Sequence, residues 1–214
     1  EFVHRPCAIA GVRARRHGVA RKAVRAATQA GSDGGRSGST GRVIAASAAL
    51  QCQANQAKAK TAIEDCAPGT GSGGPLPDLT LPCLGGGPDV DLASLRGPLV
   101  VNVWGSYCGP CRQEMPALQE FYDRYGDRVD VVGIDYQDTQ PMAAIELARK
   151  AGVTYPLVAD PGGDINAAAP ISVIRGVPWF VFVDADGNVT NAAGGVDSAD
   201  ELAKLANEHL GIDL

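Results

Sequence analysis

The larger, acidic part of the sequence lacks a basic stripe, which argues against nucleic-acid binding there. Residues 1–60 carry 11 lysines and arginines against two acidic residues, whereas the rest of the 214-residue chain carries 8 against 22. No internal repeat is present, so repeat architectures are excluded. The apolar run RVIAASAAL at 42–50 is far shorter than the roughly 18–20 residues that a membrane-spanning helix needs.

Residues 1–74 are predicted to form a basic, low-complexity segment and linker ahead of a folded domain. Arginine, alanine, glycine and serine dominate residues 11–41. The apolar run at 42–50 follows basic residues, as in an export signal, so the segment is either a targeting or anchor remnant or a disordered extension. Cys7 and Cys52 lie in this segment, and the one role that the sequence leaves open for them is lipid attachment at Cys52.

From residue 75 onward, apolar segments follow strand and helix patterns in alternation, which predicts one α/β domain over 75–214. The predicted strands are 99–104, 129–136, 155–160 and the two strands of a hairpin within 177–194; the predicted helices are 111–125, 141–152 and 198–211, with a short helix or loop at 163–170. This order indicates a sheet with a parallel portion and an antiparallel hairpin at one edge.

Two cysteines, Cys108 and Cys111, lie between a predicted strand and a predicted helix in the stretch SYCGPCRQEMP. A zinc site needs a second pair of ligands, yet no cysteine and only one histidine, His209, follows Cys111. A disulfide across two residues closes too short a loop to stabilise a fold much. At a helix start, however, unpaired N–H groups and the helix dipole favour a thiolate, and only the thiolate attacks a disulfide. We therefore predict a redox pair with Cys108 as the nucleophile and Cys111 as the resolving residue, without metal ion or cofactor.

The stretch NVWGSYCGPCRQEMP, followed at a distance by GVPWFVFVDADGNV, resembles the thioredoxin superfamily and, more narrowly, its extracytoplasmic TlpA/ResA-type branch. The resemblance covers about 75–214. It implies an α/β thioredoxin fold, a three-layer α/β/α sandwich with a central mixed sheet and an inserted strand–helix unit between Cys111 and Pro178. Asn102 stands six residues before Cys108, where thioredoxins carry a buried aspartate.

The resemblance also implies roles for residues around the pair. Glu114 is the candidate acid or base that tunes the cysteines, the alternative being a solvated glutamate in the first helical turn. The Val177–Pro178 bond is expected to be cis and to face the cysteines, with the Val177 backbone pairing with the bound substrate chain. Tyr107 and Trp179 depart from the residues usual at these positions and are candidates for shaping a substrate groove, the alternative for Trp179 being a place in the core.

Cys66 and Cys83 flank the entrance to the predicted domain and are candidates for a structural disulfide, the alternative being two reduced thiols. A disulfide between them would close a loop of about 17 residues and contribute roughly 3 kcal/mol. A second disulfide would agree with an oxidising compartment.

These residues and the resemblance together predict a thiol–disulfide oxidoreductase of the bacterial cell envelope, membrane-anchored or secreted, and monomeric. The expected direction is reductive, as in cytochrome c maturation, with a disulfide-containing protein substrate and a membrane-bound or soluble dithiol donor. A thiol peroxidase would need a Pro-x-x-x-Thr/Ser pattern, which is absent around Cys108. An oxidative, disulfide-forming enzyme and a non-catalytic dithiol module for copper binding or chaperoning stay open as alternatives.

Overall fold

A computed structural model describes residues 49–67, 69 and 73–214 of the chain. The chain divides into two units, and of the first, Glu1–Cys52, the structure describes residues 49–52, which are helical. The second unit, Gln53–Leu214, begins with helical residues 53–58 (α1) and contains every strand and helix described below. It therefore includes residues upstream of position 75, where the predicted domain begins. Most of the predicted low-complexity segment lies outside the described residues.

The second unit continues with a small hairpin, an α/β core and a closing helix. Its elements in chain order are β1 (Thr80–Leu81), β2 (Val90–Asp91), a 3-10 turn (Leu92–Ser94), β3 (Leu99–Trp104), α2 (Gly109–Tyr125), β4 (Asp130–Tyr136), α3 (Pro141–Ala151), β5 (Leu157–Asp160), β6 (Trp179–Val183), β7 (Val189–Ala193) and α4 (Ala199–Leu210). The strand predicted at 99–104 is confirmed, and the other predicted strands and long helices differ from these bounds by a few residues at most.

The central sheet has five strands in the order β5-β4-β3-β6-β7. β3, β4 and β5 are parallel, whereas β6 pairs antiparallel with both β3 and β7. The parallel portion and the antiparallel edge hairpin were both expected from the order of the sequence patterns. α3 and β5 form the inserted unit, because they extend the sheet beyond β4 before the chain returns to β6 beside β3. This arrangement confirms the α/β thioredoxin fold with a mixed sheet.

Alternate residues of β3 belong to two separate apolar clusters, so each face of the sheet is covered. Val100 and Trp104 pack with residues of α2, α3 and α4 on one face. Val101 and Val103 pack on the other face with residues of the β1–β2 hairpin and of the segment 161–178. The β1–β2 hairpin, the 3-10 turn Leu92–Ser94 and irregular backbone therefore cover this face of the sheet.

The segment predicted as a short helix or loop at 163–170 forms turns. The Asp160 carboxylate accepts hydrogen bonds from the backbone N–H groups of Gly163, Asp164 and Ile165, which fixes a turn directly after β5. The backbone N–H groups of Asn166 and Ala168 then donate to the carbonyls of Gly163 and Ile165, three residues before them, as in successive turns. The loop then leads through a cis Ala169–Pro170 bond toward the functional site.

Residues that favour helix capping and termination lie at the ends of α3 and α4. Ser198 caps α4 by accepting the Glu201 N–H, and Gly211 ends it at a φ of 66°. Gly152 ends α3 in the same left-handed conformation.

Among the described residues, no helix combines the length and the apolar character that crossing a bilayer requires.

Candidate active site

Cys108 and Cys111 form a disulfide at the amino end of α2, with their Cα atoms 5.3 Å apart. Cys108 is the N-cap residue of this helix, and its sulfur accepts the Cys111 N–H at 3.1 Å. Cys108 is 6% exposed whereas Cys111 is fully buried. An incoming disulfide can therefore reach the Cys108 sulfur but not the Cys111 sulfur.

The segment before β6 lies directly against the Cys108 sulfur. The Val177–Pro178 peptide bond is cis. Val177 O is 3.4 Å from Cys108 Sγ, so the backbone that precedes the proline contacts the reactive atom. A peptide bound along this segment would pass within reach of Cys108.

Glu114 lies one turn after Cys111 on α2, three residues along and therefore on the same helix face. Its side chain is 1% exposed, and its Oε1 accepts a hydrogen bond of 2.9 Å from Asn102 Nδ2 on β3. Burial raises the pKa of Glu114 from its ordinary value of 4.5 to about 7, while the hydrogen bonds from Asn102 and from the Val196 backbone oppose the rise. A solvated glutamate, the alternative considered above, does not fit this burial.

A groove of about 290 Å³ opens beside Cys108. Tyr107 and Val177 line it, as do three residues that the sequence did not single out, Gln137, Ile174 and Arg175. Tyr107 is 52% exposed, and its hydroxyl donates to Tyr136 O at 3.0 Å, which holds the ring at the rim. Arg175 adds a positive charge to the groove. Its position directly before the Gly-Val-Pro sequence is the signal from which it could have been predicted as a site residue.

Trp179 does not line this groove. It is half-buried at the start of β6, packs with the cluster on the face of the sheet opposite α2, and donates from Nε1 to Asn191 Oδ1 at 3.3 Å. Its placement matches the core alternative rather than a substrate-contacting position.

Comparisons with known proteins agree with this geometry. The model of the AhpC/TSA family matches residues 72–192, more than half of the chain. The chain belongs to the AhpC/TSA family. The resemblance to TlpA/ResA-type proteins is also confirmed, since the relatives of this AhpC/TSA chain include proteins named ResA and DsbE.

Two curated relatives and one solved structure illustrate the similarity of this AhpC/TSA protein to oxidoreductases. The thiol-disulfide oxidoreductase ResA of Bacillus thuringiensis is 28% identical over 118 residues, which cover 54% of this chain and 66% of ResA. The chain thus matches slightly less than two thirds of that relative's length. The thiol:disulfide interchange protein DsbE of Pseudomonas fluorescens is 31% identical over 125 residues, 58% of this chain and 67% of DsbE.

The solved structure is that of a secreted Mycobacterium tuberculosis disulfide oxidoreductase homologous to Escherichia coli DsbE. It is 27% identical, with a TM-score of 0.53, and the match covers 61% of this chain and 96% of that structure. The matched portion therefore corresponds to nearly all of a known oxidoreductase domain.

The loop before Cys108 is held by two side chains of the AhpC/TSA domain. Ser106 N donates to Asp138 Oδ2 at 2.8 Å, and Ser106 O accepts from Arg112 Nη2 at 2.6 Å. Asp135, 1% exposed at the end of β4, lies next to Asp138, and burial together with the Asp138 charge raises the pKa of Asp135 to about 9. With this raised pKa the Asp135 carboxyl keeps its proton at pH 7 and adds no second negative charge beside Asp138.

Gly195 closes the site on the side of Glu114. A Cβ atom at this position would lie 2.9 Å from Glu114 Oε2 and 3.3 Å from Pro178 Cγ. Only a residue without a side chain leaves both groups in place, and nothing in the sequence pattern marks this glycine out from its neighbours.

Replacing Gly195 by alanine should displace the Glu114 carboxylate and slow disulfide reduction by roughly tenfold or more, because small displacements of a reacting group are costly. Single-turnover reduction of insulin measures the rate, and the thermal midpoint is recorded in parallel. A Gly195→Ala protein with the wild-type rate would show that the contact with Glu114 has no part in the reaction.

Proposed function

We propose that the protein is a thiol–disulfide oxidoreductase that reduces disulfides of extracytoplasmic proteins. The observation that carries the proposal is the position of Cys108. It is a helix N-cap whose sulfur accepts an N–H, lies against Val177 O and is the more exposed of the two cysteine sulfurs. The helix end favours the thiolate, and the groove gives a substrate access to it.

The reaction begins with the reduced dithiol. The Cys108 thiolate attacks one sulfur of a substrate disulfide, forms a mixed disulfide and releases the other substrate sulfur as a thiolate, which takes up a proton. An extended substrate segment pairs with the backbone at Val177, which aligns its disulfide with Cys108. The Arg175 guanidinium in the groove favours substrates with acidic residues near the cystine.

In the second step, the buried Cys111 sulfur is the nucleophile. Glu114, with a pKa near 7, accepts the thiol proton of Cys111, and the resulting thiolate attacks the Cys108 sulfur. This attack re-forms the Cys108–Cys111 disulfide and releases the second substrate sulfur. Two electrons have then passed from the enzyme to the substrate, and an external dithiol restores the reduced enzyme.

The names of the relatives support thiol–disulfide exchange, and one of the similar structures supports a location outside the cytoplasm. ResA and DsbE are named as thiol–disulfide oxidoreductase and thiol:disulfide interchange protein, and the similar M. tuberculosis protein is described as secreted. We further propose that the part of residues 1–74 that precedes the folded unit directs or anchors the domain, that the domain works as a monomer and that its substrates resemble those of cytochrome c maturation.

A glutathione redox titration of Cys108–Cys111, followed by mass spectrometry, tests the direction. A reduction potential well below about −200 mV is expected for a reductase, whereas a value near about −120 mV would identify an oxidase and overturn the reductive proposal. An insulin-reduction assay distinguishes a reductase or an oxidase from a non-catalytic dithiol module, because a copper-binding or chaperone-like protein would show no turnover.

A further inference from the structure

The second disulfide has an unusual neighbour. Cys66 and Cys83 are bonded, with their Cα atoms 5.8 Å apart. Lys58 of α1 is only 6% exposed, and its Nζ lies 3.2 Å from Cys83 Sγ. The same ammonium group donates to Asp65 Oδ1 and to Gly86 O, both at 3.1 Å. A cystine that served only as a crosslink would need no buried cation at its sulfur.

The two sulfurs differ in their surroundings. Cys83 Sγ accepts hydrogen bonds from Lys58 Nζ and from the Cys66 N–H, the latter at 3.3 Å. Both donors would stabilise a negative charge on Cys83, because a cation and an N–H group each favour a thiolate. The disulfide is therefore polarised toward cleavage that leaves the charge on Cys83.

The other sulfur belongs to a residue that lines a cavity. A cavity of about 280 Å³ is lined by Cys66 but not by Cys83, and it shares no residue with the groove at Cys108. Four charged side chains line it, Glu64, Asp65, Asp130 and Arg96, so acidic groups predominate. Cys66 lines this cavity and Lys58 contacts Cys83, although both cysteines are nearly fully buried, at 2% and 3% exposed. The attacking thiol therefore approaches Cys66 through the cavity.

We propose that Cys66–Cys83 is a second thiol-exchange site, at which an external dithiol carrying positive charge attacks Cys66 and Cys83 leaves as a thiolate beside Lys58. The attacking thiolate bonds to Cys66 Sγ as the Cys66–Cys83 bond breaks. The second thiol of the reductant then attacks its own bonded sulfur, forms the oxidised reductant and releases Cys66. Two electrons pass from the dithiol to the cystine, and the inference does not depend on the reaction at Cys108.

Trypsin offers a direct readout, because cleavage after Lys60, Arg96 and Arg112 places the two disulfides on separate peptides, 61–96 and 97–112. The oxidised full chain is incubated with dithiothreitol at pH 7, quenched with acid, alkylated and digested. We expect Cys66–Cys83 to be reduced in the folded protein. If it stays oxidised at every dithiothreitol concentration that reduces Cys108–Cys111 completely, the proposal fails.

Lys58→Met should slow reduction of peptide 61–96 about tenfold and leave that of peptide 97–112 unchanged, since a poorer leaving group slows thiol exchange. A purely structural role for Lys58 predicts the opposite sign, because a loosened fold would expose the disulfide and speed its reduction. An unchanged or faster rate therefore contradicts the proposal. Lys60→Met, an exposed change two residues along, is the matched control, and its disulfide is followed on peptide 59–96 because trypsin then cleaves after Lys58.

Asp65→Asn provides a test that spares the fold, because the Asp65 side chain is 84% exposed. The Asp65 carboxylate competes with Cys83 for the Lys58 ammonium. Without it the ammonium stabilises Cys83 more strongly, so the Cys66–Cys83 disulfide should be reduced faster than in the wild type.

Cysteamine, a cationic thiol, should also reduce this disulfide faster than the anionic mercaptoacetate, and the ratio of the two rates should fall as salt is added. A slower Asp65→Asn protein, or equal rates for the two thiols, would count against the site.

Discussion

Replacing Cys108 by serine should lower insulin-reduction turnover by a factor on the order of 10³ or more, to the uncatalysed background. A serine hydroxyl is not ionised near neutral pH, so the N–H of Cys111 and the helix end have no thiolate to stabilise. The buried Cys111 cannot substitute for it, because its sulfur does not reach the groove. Turnover of dithiothreitol-driven insulin reduction is the measurement.

The matched variant, Cys111→Ser, should behave differently. It keeps the nucleophile, so it should attack one substrate disulfide and stop as a mixed disulfide at Cys108, visible as a mass increase equal to the bound peptide. Circular dichroism checks that both variants fold. Full turnover by Cys108→Ser, or the absence of any adduct with folded Cys111→Ser, would contradict the assignment of the two roles.

The part of the site that follows from local chemistry could be predicted from the sequence. The position of Cys108 at a strand-to-helix junction follows from the β-branched run before it and the helical spacing after it, and the structure makes it the N-cap of α2. This position can be predicted because it depends on residues within a few positions of one another. The role of Glu114 comes from its spacing from Cys111 in the family motif and stays a prediction.

The other features of the site depend on long-range packing that no local sequence pattern encodes. Asn102 and Glu114 meet only because α2 folds back over β3, and Gly195 meets Glu114 only after the whole edge hairpin has formed. Lys58 falls in a stretch whose composition suggests low complexity, yet its ammonium is buried against a cysteine 25 positions away. The burial that shifts the pKa of Glu114 is likewise a property of the assembled core.

Replacing Glu114 by glutamine should remove the pH dependence that this buried carboxyl imposes on both stability and rate. The folded protein holds the proton up to a pH of about 7, whereas an unfolded chain releases it near 4.5. The contribution of Glu114 to wild-type stability is therefore fully present below pH 4.5, is lost between pH 4.5 and 7, and amounts to about 3 kcal/mol. Glu114→Gln, always neutral, should be more stable than the wild type at pH 8 by about that amount and nearly equal at pH 4.

The same substitution should slow the resolving step by roughly 10²-fold, because glutamine cannot accept the Cys111 proton. In Glu114→Gln, the pH profile of product release from the mixed disulfide should also lack the inflection near pH 7. The control is Glu120→Gln, the same change at an exposed position of α2 where the carboxylate pairs with Arg124. If the inflection persists in Glu114→Gln while the stability gain at pH 8 is observed, Glu114 is a buried structural carboxyl and the proton of Cys111 leaves by another route.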